Sequence, residues 1–111
     1  NWQDTFLNLA EYKVAKLGEV PPGKTKIVTA GKKELVLCNV EGVYYCLDNV
    51  CTHDEGPLGE GVLEGDVIES PRHGAQFKVT TGEVVSMPAV VPIATYPVRL
   101  QGDQITVTLE G

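Results

Sequence analysis

The stretch Glu34-Leu35-Val36-Leu37-Cys38-Asn39-Val40-Glu41-Gly42-Val43-Tyr44-Tyr45-Cys46-Leu47 decides the fold. Two short runs rich in β-branched, aromatic and apolar residues flank Glu41-Gly42, a tight-hairpin signal. The first run, Glu34 to Val40, is apolar enough to be a central strand. Cys38 and Cys46 fall inside the runs and read as buried apolar filler, because a free cysteine packs as a small hydrophobe.

The same pattern continues on both sides. Tyr12 to Leu17 alternates, and Val20-Pro21-Pro22-Gly23 breaks it by removing ladder donors. Thr25 to Thr29 is a second strand, closed by Gly31-Lys32-Lys33. Downstream, Val62 to Ser70 is a short hairpin turning at Glu64-Gly65-Asp66. Gln76 to Val79 and Glu83 to Val85 flank Thr80-Thr81-Gly82. Thr95 to Leu100 pairs with Gln104 to Leu109 across Gln101-Gly102-Asp103. Seven prolines and twelve glycines interrupt nearly every helical window. Only Asp4 to Leu9 is left for a short helical turn, with Trp2 and Phe6 packing on the sheet. The expectation is an all-β chain forming a single domain over residues 1–111.

Composition narrows the function. Hydrophobic residues make up 42% and charged residues 22%, the profile of a folded globule. A net charge of −6 excludes a basic nucleic-acid footprint and suits an acidic carrier steered to a positive docking face. No apolar run reaches the length of a membrane span, so no membrane is expected. No signal peptide is visible at the amino end, and the cytoplasm is the expected compartment. Three cysteines, Cys38, Cys46 and Cys51, argue against a disulfide framework.

Two stretches escape the strand pattern. Asp48 to Gly61 and Pro71 to Ala75 are loops, and the two histidines of the chain lie in or beside them with other donors. Cys51 and His53 stand two apart, and Ser70 and His73 three apart. A lone histidine is more often a surface or hydrogen-bonded residue than a ligand. Here the intervening sixteen residues contain a hairpin, which returns the chain to where it left and lets the loops meet. That arrangement favours a metal. Ser70 with His73 also resembles a hydrolase dyad, but no third member or oxyanion loop accompanies it.

Cys51-Thr52-His53 followed by Ser70-Pro71-Arg72-His73-Gly74 resembles the paired Rieske motif, Cys-x-His and Cys-Pro-x-His-Gly. Tyr44 to Asp48, Gly56-Pro57-Leu58, Glu64-Gly65-Asp66, Phe77, Thr81-Gly82 and Met87-Pro88-Ala89 extend the likeness, the last resembling the proline loop that covers the cluster. The resemblance implies a Rieske-like sandwich of small antiparallel sheets, with a loop-built cluster-binding subdomain at about residues 46–90. It implies a [2Fe–2S] cluster, with His53 and His73 on one iron and Cys51 on the other. Two imidazoles in place of two thiolates raise the potential into a range of roughly −150 to +300 mV. The disulfide cysteines of high-potential members are replaced by Gly56 and Arg72, and their hydroxyl donors by Ala75 and Phe77, which implies the low end of that range.

The implied role is a one-electron carrier, not itself an enzyme, working between a flavin-dependent reductase and a terminal oxygenase that hydroxylates aromatic rings. The small Rieske-like subunit of an assimilatory nitrite reductase is the alternative within the fold. Ser70 stands where the family carries the second cysteine, and three readings follow. The first is a Cys→Ser form of an ordinary Rieske ferredoxin, ranked highest because every other feature of the loop is kept. In the second, a serine alkoxide ligates iron, favours Fe(III) and lowers the potential. The third is a cluster-less interaction domain, or one that holds zinc through Cys51, His53 and His73. The acidic residues Asp54, Glu55 and Glu60 either form a docking rim or serve solubility, and Lys24, Lys26, Lys32 and Lys33 read as a solvated strand end.

Overall fold

The computed structural model describes residues 9–50, 58–59, 61–71, 74–87 and 91–110. Among them there are eleven strands and no helix: β1 Leu9–Lys16, β2 Thr25–Ala30, β3 Lys33–Val40, β4 Val43–Asp48, β5 Val62–Glu64, β6 Val67–Glu69, β7 Gln76–Lys78, β8 Val84–Ser86, β9 Thr95–Tyr96, β10 Val98–Gln101 and β11 Gln104–Glu110. They form three antiparallel sheets, in the orders β1-β11-β10, β2-β3-β4-β9 and β5-β6-β7-β8. The all-β expectation holds.

The β3–β4 hairpin is the centre of the molecule. Val40 pairs with Val43, and Glu41 and Gly42 between them both take positive φ, as a two-residue hairpin turn with right-handed strand twist requires. Each of its faces packs on a different sheet, which explains the unbroken run Leu35-Val36-Leu37-Cys38. Val36, Cys38 and Leu47 pack with Leu58, Ile68, Phe77 and Val79 of the third-sheet side. Leu35, Leu37 and Cys46 pack with Ile105, Val107 and Leu109 of the first sheet. Burial of each such large side chain contributes about 1.5–3 kcal/mol. Cys38 and Cys46 are therefore core residues on opposite faces, both free and buried, and neither lies in a loop that could donate to a metal.

The structure corrects the sequence reading in three places. Thr95 to Leu100 is two strands rather than one: β9 pairs with β4, and β10 pairs with β11. Pro97 lies at the break. It has no N–H for a ladder, so the chain passes there from one sheet to another, while its carbonyl accepts from Thr108 N–H at 3.1 Å. Leu9 belongs to β1 rather than to a helical turn, paired opposite Glu110. The rest of that expected turn, with Trp2 and Phe6, lies outside the described residues. Asp48 closes β4 rather than opening the first loop. Its main-chain N–H donates to Ala94 O, and its carboxylate accepts from Tyr96 Oη at 2.6 Å. Lys33 reaches the same pair, donating to Tyr96 Oη at 3.2 Å, and Lys26 pairs with Glu19. The lysine cluster is thus only partly a solvated strand end.

Candidate metal centre

The hairpin of β5 and β6 connects the two loops that carry the candidate ligands. Its pairs run Val62 to Glu69, Leu63 to Ile68 and Glu64 to Val67. Ile68 is completely buried and anchors the hairpin to the core. The consequence is positional: the end of the first loop, at Gly61, lies beside the end of β6, at Glu69, one residue before Ser70. The approach is so close that a Cβ on Gly61 would stand 1.9 Å from the Glu69 carbonyl oxygen. Only a glycine lets the backbones come together there.

Ser70 begins the second loop. It is 3% exposed. Its main-chain N–H donates to Ala75 O at 2.7 Å, and its carbonyl accepts from Gly74 N–H at 3.2 Å. These two bonds tie Ser70 to Gly74 and Ala75, and Ala75 is completely buried. Among the described residues the Ser70 hydroxyl donates no hydrogen bond. Cys51, His53 and His73 lie outside the described residues, as do Gly56, Arg72, the Met87-Pro88-Ala89 loop beyond Met87, and the acidic residues Asp54, Glu55 and Glu60.

The base of the first loop was not visible in the sequence. Asn49, just past β4, is 4% exposed and bonds through both ends of its amide. Oδ1 accepts from Gly59 N–H at 2.6 Å, and Nδ2 donates to Glu34 Oε1 at 2.6 Å. Its main-chain N–H donates to Glu34 O at 3.2 Å. Gly59 O in turn accepts from Thr25 Oγ1 at 3.2 Å. Leu58 beside it is completely buried. Both ends of the loop are thus tied to the second sheet. The only local hint was an asparagine after a strand; its partners are ten and fifteen residues away.

Behind the second loop the core is apolar. Ala75 and Phe77 are completely buried and offer no hydroxyl. The outer face of the third sheet is polar: Gln76 Nε2 donates to Glu69 Oε1 at 3.0 Å, and Ser86 Oγ donates to Gln76 Oε1 at 3.2 Å. Val62, Glu64 and Val67 complete the lining of a shallow groove on that face.

Residues 10–97 match the Rieske [2Fe-2S] domain. The chain belongs to the Rieske [2Fe–2S] family. The ferredoxin component of biphenyl 2,3-dioxygenase from Rhodococcus jostii strain RHA1 is 38% identical over 103 residues, which cover 93% of this chain and 96% of that one. The ferredoxin component of the naphthalene 1,2-dioxygenase system of Pseudomonas aeruginosa is 42% identical over 93 residues, 84% of this chain and 89% of that one. Among solved structures, the ferredoxin in a complex of reduced oxygenase and oxidized ferredoxin of carbazole 1,9a-dioxygenase superposes with a TM-score of 0.83. It is 35% identical over 87% of this chain and 91% of that one.

The donor chemistry of this Rieske chain fits a [2Fe–2S] cluster. The candidate donors are one thiol, two imidazoles and, at Ser70, a buried oxygen.

Proposed function

We propose that Cys51, His53, Ser70 and His73 hold a Rieske-type [2Fe–2S] cluster, and that the protein is the ferredoxin of an aromatic-ring-hydroxylating dioxygenase system. It takes one electron at a time from a flavin-dependent reductase and delivers it to a terminal oxygenase in the cytoplasm. The observation that carries this reading is the Val62–Glu69 pairing. It brings the end of the loop containing Cys51 and His53 beside the start of the loop containing Ser70 and His73. The relatives named above support the partners, and no helix among the described residues is long and apolar enough to cross a membrane.

When bound, the cluster supplies a one-electron couple with a potential above that of all-thiolate clusters. The chain's own residues do the rest. Cys51 and Ser70 would hold one iron, and His53 and His73 would hold the other with neutral nitrogen donors. The buried Ala75 and Phe77 keep water from the inner side of the second loop. The chain is one domain, with the site carried by residues of about 46–90. The net charge of −6 draws the carrier to positive docking faces, so turnover with reductase and oxygenase falls as salt rises.

Iron and acid-labile sulfide analysis, with the visible spectrum, tests the reading on the parent chain and on Ser70→Cys. The expected result is iron and sulfide in equal amounts in both. In the Ser70→Cys form the cluster survives longer in air, and its potential is higher, because thiolate favours Fe(III) less than alkoxide does. Zinc without sulfide in both proteins would sink the cluster assignment and leave the zinc-bearing domain.

A further inference from the structure

We infer that Asn49 is a positioning residue: it clamps the base of the first ligand loop, and through it fixes Cys51 and His53. This rests on the cluster reading above for its consequence, but the clamp itself is a feature of the polypeptide. The first loop departs just after Asn49, and Leu58 and Gly59 at its far side lie against the second sheet. The Asn49 carboxamide bridges the two points directly, accepting from Gly59 N–H and donating to Glu34, both at 2.6 Å. Gly59 is seated with no room to spare. A Cβ there would stand 2.4 Å from Val36 Cγ2 and 2.5 Å from Ile27 Cγ1. The return point of the loop is therefore fixed sideways by packing and along the chain by the amide.

The amide is chemically specific at this place. Glu34 offers only acceptors and Gly59 N–H only a donor, so the residue between them must donate on one side and accept on the other. Asparagine does both. Aspartate accepts from Gly59 but sets a second carboxylate against Glu34, and alanine does neither. Asn49 itself is buried while its partner Glu34 is exposed, so the bonds are partly shielded from water, and losing one leaves a buried amide half-satisfied. Cys51 is two residues beyond Asn49, so an error at the clamp passes directly to the ligands.

The test uses the full chain with its cluster and compares Asn49→Ala, Asn49→Asp and Glu34→Gln with Val107→Ala. Val107 lies in the core between the first and second sheets and serves as a control for general destabilisation. Three quantities are measured: hydrogen exchange at the Gly59 amide, the rate of cluster release followed in the visible spectrum, and the reduction potential. Asn49→Ala is expected to speed Gly59 exchange and cluster release by about tenfold, the equivalent of one lost hydrogen bond, and to shift the potential. Asn49→Asp falls between. Glu34→Gln, whose amide oxygen still accepts, stays near the parent. Val107→Ala lowers Tm without moving Gly59 exchange beyond its global change. Unchanged Gly59 exchange in Asn49→Ala overturns the clamp. So does cluster release that follows Tm alike in Asn49→Ala and Val107→Ala. A parent chain that holds no iron or sulfide defeats the cluster reading instead, and Gly59 exchange then decides the clamp alone.

Discussion

Gly61→Ala is expected to cost about 3 kcal/mol, to lower Tm by roughly 10 °C and to abolish stable cluster binding. The reason is a backbone-to-backbone conflict. The new methyl group would stand 1.9 Å from the Glu69 carbonyl oxygen, 2.9 Å from its carbon and 3.1 Å from Leu58 O. No side-chain rotation relieves a clash with a carbonyl, so β5 must swing from β6 at the Val62–Glu69 pair. That pair holds the end of the first proposed ligand loop against the start of the second, and its opening separates Gly61 from Glu69 and Ser70. The control is Gly65→Ala in the turn of the same hairpin. There φ is +60° and nothing lies within 4 Å of the new Cβ, so the cost is the backbone strain alone, about 1 kcal/mol. Urea unfolding read by circular dichroism, with iron content of the purified proteins, distinguishes them. Equal midpoints for Gly61→Ala and the parent would show that the two loop ends are not pressed together.

That contrast also shows what the sequence can and cannot say. The hairpin Glu41-Gly42, the turn at Gly65 and the central burial of residues 35–38 are local patterns, and local patterns are legible. The proximity of Gly61 to Glu69 followed from the hairpin, because strand pairing of a short hairpin is nearly determined by its turn. Its consequence for Gly61 did not, since a close approach is known only from where the other backbone runs. Asn49 was silent for the same reason: both partners of its amide are distant in the chain. The break at Pro97 did have a signal, a proline inside an expected strand, and that signal deserved more weight than the apolar pattern around it.

The candidate ligands were singled out for a different reason. Metal sites need particular donors at particular spacings, so Cys51, His53 and His73 stand out from a chain otherwise made of packing residues. Ser70 stands out by contrast. The structure adds that its place is buried and that its hydroxyl donates to no neighbour among the described residues. The first loop is held from outside by Asn49, and in the second Ser70 is tied to Gly74 and Ala75. The two halves of the site are thus stabilised by unlike means and should fail independently.

Raising the pH from 9 to 12 is expected to unfold the protein, with Cys38 and Cys46 as the main cause. Burial pushes both thiols up from 9.0 to about 12, helped at Cys46 by the nearby Cys38 and by the charge of Asp48. The folded state therefore favours the neutral thiol. Below about pH 9 both states are protonated, and the stabilising effect is complete. Above it the unfolded chain ionises first, and stability falls until the folded thiols titrate near pH 12. Three pH units correspond to about 4 kcal/mol for each thiol. Two such losses are comparable with the whole stability of a small domain, about 5–15 kcal/mol. Tyr96 acts in the same direction, because burial and its bond to Asp48 raise its pKa, and so does Lys33, raised first by its bond to Tyr96. The thiols are isolated by a Cys38→Ala, Cys46→Ala double variant. It should be less stable than the parent at pH 7, from two small cavities, yet lose less of its stability between pH 9 and 12. Urea midpoints at each pH give the two slopes. Parallel slopes for parent and variant would remove the thiols as the cause and leave Tyr96 and Lys33.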